Sequence, residues 1–184
     1  MVLILVGAAV LTIAAGGYLE SPLWQQIQAE QVIEPGPSTA HPGSAVPGAL
    51  IARLRIPRID LDVAIIEGTR PRDLLRAPGH LSGSAFPGEP QNCIVAGHRD
   101  LHFKRLGELR DGDRIELVRA GEVFFYQVES TQIVAPTRRD VLEPGNQALL
   151  TLITCYPFRY VGPAPKRYVV TALLRGRRVS SGAP

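Results

Sequence analysis

Two side chains in this sequence have the types and settings of an acyl-transfer pair. Cys155 closes the apolar, β-leaning run LLTLITC, and His98 stands just past another such run, CIVA. A cysteine acts as a nucleophile through its thiolate, which needs a nearby base or cation. Histidine is the usual proton carrier near neutral pH. Tyr156-Pro157 follows the cysteine, and proline cannot continue a β-ladder, so the sulfur is expected at a sheet rim. Arg167 opens the next apolar run, RYVV, as half of a basic pair with Lys166. Attack on a carbonyl generates an oxyanion, and a fixed guanidinium offers it paired donors and a permanent charge.

Each residue also has a plain structural reading: a core thiol, a loop imidazole, a strand-edge charge. His80, in the turn-rich APGHLSG, and His102, in an expected helix, compete with His98 as the base and rank below it. His41 lies in a polar tether and reads as exposed. Asp100 either orients the imidazole of His98 or caps a helix from Leu101 onward, and the cap is favoured. Cys93, inside an apolar strand, reads as a small buried hydrophobe. A Cys93–Cys155 disulfide would disable the proposed nucleophile.

The elements that position these residues are short. Gly and Pro number 18 and 16 in 184 residues, which points to many turns. Strands are predicted at Leu50–Ile56, Leu61–Ile66, Cys93–Ala96, Gln132–Ala135, Ala148–Thr154 and Arg167–Leu174. A hairpin joins Arg114–Arg119 to Glu122–Glu129 around Ala120-Gly121. Arg70–Arg76 and Leu101–Leu109 read as short helical segments, and Pro78-Gly79 as a turn. Such a series argues for an all-β barrel or sandwich.

Residues 2–19 carry no charge. As a helix they would rise about 27 Å, close to the hydrocarbon thickness of a bilayer. An uncleaved anchor over residues 1–19 is preferred to a cleaved signal. No Lys or Arg precedes Arg53, so loop charge gives no orientation. Residues 20–48 read as a linker: a helical stretch, then the Pro/Gly-rich tether PGPSTAHPGSAVPG. The main domain is expected over 49–176 and a flexible basic tail over 177–184. Net charge is only +3, and no nucleic-acid reader motif is present, so no nucleic-acid partner is expected. No CxxC-type metal spacing occurs.

The segments LRIPRIDLDVAIIEG, APGHLSGSAFPGE, NCIVAGHRD, FKRLGELRDGDRIEL, TLITC and KRYVV follow one another in order. As a set, from about Leu50 to Leu174, they resemble the sortases, cysteine transpeptidases that attach proteins to cell envelopes. The run TCYPFRYVGPAPKRYVV is most similar to the class D branch. The resemblance implies a closed eight-stranded β-barrel behind a transmembrane helix, with the catalytic domain outside the cytoplasm. It makes Cys155 the nucleophile, His98 the proton carrier and Arg167 the oxyanion or substrate-positioning residue. Thr154 would either donate to the substrate or pack its strand. An LPxTG-like protein and a primary amine would be the partners. No cofactor is implied. Some members of the family use Ca²⁺; without a dense carboxylate cluster in the sequence it stays a less favoured alternative here. A non-catalytic, membrane-tethered module that binds envelope peptides is the alternative. An L,D-transpeptidase is disfavoured because the Ser/Thr-His-Gly-Cys box is missing.

Overall fold

The structure is a computed structural model that describes residues 45–179. The expected anchor and most of the linker, residues 1–44, lie outside the described residues, as do the last five. Eight strands close into one barrel: β1 (Leu50–Ile56), β2 (Leu61–Glu67), β3 (Gly79–His80), β4 (Asn92–Ala96), β5 (Arg114–Arg119), β6 (Glu122–Val134), β7 (Leu149–Tyr156) and β8 (Lys166–Val179). Their order around the barrel is β1-β2-β3-β4-β7-β8-β6-β5, with β5 returning to β1. The expected barrel is therefore present.

The local rules of the sequence explain most of it. In β1, Ala52, Leu54 and Ile56 alternate inward and are fully buried. Leu117, Tyr126, Leu150 and Leu152 meet them from other strands in a single core. Each such aliphatic side chain contributes roughly 1.5–3 kcal/mol on burial. Ala120 and Gly121 both take positive φ, 50° and 75°, in the two-residue turn between β5 and β6.

Several expectations change. β6 is one continuous strand where two were predicted. Register shifts at Phe125/Tyr126 and Val128/Ser130 carry it through the polar run Glu129–Gln132, which hid its continuity. β3 was read as a turn. It exists because Gly79 lies against the backbone of Gly68, where an added Cβ would come within 2.0 Å of the carbonyl oxygen. The helix expected at Arg70–Arg76 is one turn, Pro71–Leu74, and that at Leu101–Leu109 is a set of turns ending in a 3-10 segment, Leu106–Glu108. The flexible tail expected from residue 177 is also corrected. β8 runs to Val179, with Arg177 and Arg178 opposite Phe124 and Val123 of β6. Arg178 lies 5.3 Å from the centroid of the Phe125 ring, so strand pairing and ring contact hold residues that charge alone marked as tail.

Candidate active site

β4 and β7 are parallel neighbours, with Ala96 opposite Ile153. Parallel strands keep their side chains in step, and successive residues alternate faces. Two residues beyond that pair stand His98 and Cys155. The step is preserved past the end of β4, because the amide of Gly97 donates to the carbonyl of Ile153 at 3.0 Å. On the other side of β7, Cys155 lies directly opposite Arg167 of β8. Directly opposed residues share one face with their Cβ atoms about 4.5–5.5 Å apart. Three adjacent strands thus deliver His98, Cys155 and Arg167 to one end of one outer face. Cys155 belongs to β7, one rung beyond its predicted end, and it is half-buried.

Two features fix the approach to His98. Gly97 packs against Phe103, and an added Cβ would fall 2.6 Å from that fully buried ring. Thr154 is 2% exposed, and its hydroxyl donates to the carbonyl of Gly97 at 2.7 Å. A hydroxyl has one proton to donate. That proton goes to the residue that precedes His98, a contact beyond the two expected roles of substrate donor and strand packing. The bond ties the loop that carries His98 to the strand that carries Cys155.

Sequence reasoning passed over Arg99. Its guanidinium donates to the carbonyls of Pro157 at 3.1 Å, Tyr160 at 2.9 Å and Gly162 at 3.2 Å. It also lies 5.7 Å from the centroid of the Tyr160 ring. The residue beside His98 thus pins the loop that follows Cys155. Its only signal in the sequence was adjacency to His98. Phe158 anchors the same loop by packing on Gly107 and meeting Tyr168 at 5.3 Å between ring centroids.

Arg167 is half-buried. Its Nη1 donates to the carbonyls of Ala164, at 3.3 Å, and Lys166, at 3.0 Å. These bonds orient the fork, whose other three N–H groups are the ones able to meet an oxyanion.

The competing residues fall elsewhere. His80 is 1% exposed. Its Nδ1 meets Oε2 of Glu67 at 2.7 Å, and its Nε2 meets the carbonyl of Ala85 and the Ser84 hydroxyl, both at 3.0 Å. Because Ser84 gives its own proton to Leu81, the Nε2 of His80 is a donor, and this buried network holds β2, β3 and the β3–β4 loop together. His102 is half-buried. Burial lowers its pKa to about 4, with nearby His98 adding to the shift and a hydrogen bond with the Arg76 backbone opposing it. Asp100 is exposed, and turns replace the helix it was expected to cap. Cys93 is buried inside the barrel, and burial pushes its thiol pKa up. Both cysteines are free, with no disulfide between them. Among the described residues, no three His, Cys, Asp or Glu side chains group as metal ligands would.

Along the outer face, β7 leads back from Cys155 past Ile153 and Thr151 to Leu149, roughly 20 Å at the rise of a strand. A cavity of about 230 Å³ opens at that far end, lined by Leu149, Thr151, Asn92 and Thr171 and by Arg138 and Glu143 of the β6–β7 loop.

Comparison with known proteins agrees with this geometry. The family model described as "Sortase domain" matches residues 54–175. Sortase D of Bacillus subtilis (strain 168) is 39% identical over 128 residues, covering 69% of this chain and 63% of its own length. Sortase SrtE1 of Streptomyces coelicolor is 32% identical over 135 residues, covering 63% of this chain and 38% of its own length. The chain thus spans less than two thirds of these relatives' length. The solved structure of sortase C-1 from Actinomyces oris is 31% identical with a TM-score of 0.65, covering 70% of this chain and 73% of that one. A Clostridium perfringens sortase D5 transpeptidase shares the fold at a TM-score of 0.71 and 24% identity, covering 85% of this chain and 98% of that one. With the matched segment running from β1 into β8 and taking in His98, Cys155 and Arg167, the chain belongs to the sortase family.

Proposed function

We propose that the protein is a membrane-anchored cysteine transpeptidase that cuts an LPxTG-like sorting signal and passes the cleaved protein to an amine of the cell envelope. The observation that carries this reading is the placement of Cys155 and Arg167 directly opposite each other on β7 and β8, with His98 two residues past the neighbouring end of β4. In the first step the Cys155 thiolate attacks the carbonyl carbon of the signal's threonine. A C–S bond forms and an electron pair moves onto oxygen, where Arg167 meets the charge. Collapse restores the carbonyl and breaks the C–N bond. The leaving amine takes a proton from the His98 imidazolium. In the second step the acceptor amine attacks the thioester and gives a proton to His98, and the thiolate leaves. One amide is exchanged for another, with no metal or organic cofactor in either step.

The long outer face leading from Cys155 suits an extended peptide. The uncharged stretch 2–19 supports anchoring, and an envelope amine as acceptor is the reason to put the catalytic domain outside the cytoplasm.

The test incubates the full chain with an LPxTG-type peptide and a primary amine, read by mass spectrometry. The reading expects a peptide–amine product and, without amine, a thioester on Cys155. Binding of the peptide with neither product would favour the non-catalytic module instead.

A further inference from the structure

The segment Arg70–Arg76, RPRDLLR, takes no part in the chemistry above, yet it concentrates charge. Asp73 is buried and serves two of its three arginines: Arg70 Nε at 2.6 Å and Arg72 Nε at 3.8 Å. Arg70 and Arg72 share that one carboxylate, so the pair keeps one positive charge beyond it. Arg72 in the single helical turn Pro71–Leu74 and Leu75 and Arg76 just after it are all exposed. The Arg72 side chain is 75% exposed, and Leu75, a large aliphatic residue, is 47% exposed. Val46, at the start of the described chain, is 70% exposed.

The chain that enters the barrel passes over this cluster. Pro47 and Gly48 line a cavity of about 330 Å³ together with Arg70, Arg72, Asp73 and Arg76. The amide of Gly48 donates to the carbonyl of Glu67 at 2.8 Å, fixing the entry point. The stretch with no charge at residues 2–19 lies upstream of that point. His102, four residues past His98, hydrogen-bonds the backbone of Arg76, so the cluster borders the active-site end of the barrel.

We propose that the Arg70–Arg76 face, with Leu75 and Val46 as apolar contacts, docks on the anionic phospholipid surface of the membrane that holds the anchor. Basic residues around exposed aliphatic ones suit a headgroup layer, where each arginine gains from the surface potential and the aliphatic side chains enter the acyl boundary. Docking by this face would hold the Cys155 end near the bilayer, where a membrane-bound sorting signal emerges. The inference rests on the anchoring reading.

The test reconstitutes the full chain in lipid nanodiscs of phosphatidylcholine alone or with phosphatidylglycerol and follows hydrogen exchange of the 70–77 backbone. Co-purification with either disc tests the anchor separately. Slower exchange of 70–77 in anionic discs is expected. It should vanish in high salt and in the variant Arg72→Glu with Leu75→Gln. That variant should keep the parent's melting temperature and its turnover of a soluble peptide. Equal exchange of 70–77 in the two discs overturns the proposal. The same protection from inorganic phosphate with zwitterionic discs also overturns it, in favour of a soluble-anion site.

Discussion

Replacing Thr154 with valine removes one hydroxyl and keeps the shape of the side chain. In the parent that hydroxyl donates to the Gly97 carbonyl at 2.7 Å, and Thr154 is 2% exposed. Water cannot readily replace the lost donor, so the variant carries an unmet buried acceptor, a loss of about 1–3 kcal/mol. For a chain of this length that is a fall in melting temperature of roughly 2–12 °C. The kinetic effect should be separable. Gly97 leads directly into His98, so a loosened Gly97 lowers kcat while KM for the peptide stays near its parent value. Thr154→Ser keeps the hydroxyl and should recover most of both losses. Thermal melts and peptide–amine kinetics on the three proteins make the measurement. An unchanged melting temperature together with a raised KM would mean that the hydroxyl serves the substrate, and the positioning argument would be refuted.

Arg167→Ala should lower kcat about 10²–10³-fold, the usual cost of losing one oxyanion donor, while the thermal melt stays close to the parent; parent-like turnover would remove Arg167 from the mechanism. Arg99→Ala loses three carbonyl contacts at a partly exposed site and should lower stability by only about 1–2 kcal/mol, with protease cleavage within 157–163 as the more sensitive readout; unchanged cleavage there would refute the clamp. In the folded protein His102 titrates near 4, below its ordinary 6.5, so the unfolded chain binds more protons between those values. Its contribution is therefore present above pH 6.5 and is lost as pH falls toward 4, at most about 3 kcal/mol. His102→Gln should flatten that part of the stability–pH profile, and an identical slope in the variant would count against the assignment.

Cys155 and His98 were legible because each ends an apolar run, and a run that stops at polar or glycine-bearing sequence marks a sheet rim. The neighbour relation between their strands was not legible. β4 and β7 are far apart in the chain, and their parallel pairing is set by closure of the barrel. The bond from Thr154 to Gly97 was not legible for a related reason: its acceptor is a backbone carbonyl, and a carbonyl carries no signal in residue type. Arg99 escaped notice in the same way, since all three oxygens it binds belong to the main chain. β3 was missed because two residues give no periodicity. What betrays it is the close approach of Gly79 to Gly68, which only the folded backbone reveals.

β8 pairs with β6 over Arg167–Val179 and with β7 over Lys166–Leu173, and it brings Arg167 opposite Cys155. It is also the last strand of the barrel to leave the ribosome. Until it is laid between its two neighbours, β7 has only β4 beside it, and the thiol has no guanidinium across the rung. Loop closures of this kind are slow, local-to-distant events in folding. The rung that joins Cys155 to Arg167 therefore forms late in the life of the new chain. A polypeptide still being synthesised has Cys155 without Arg167 across from it, and the completed barrel is what brings the two together.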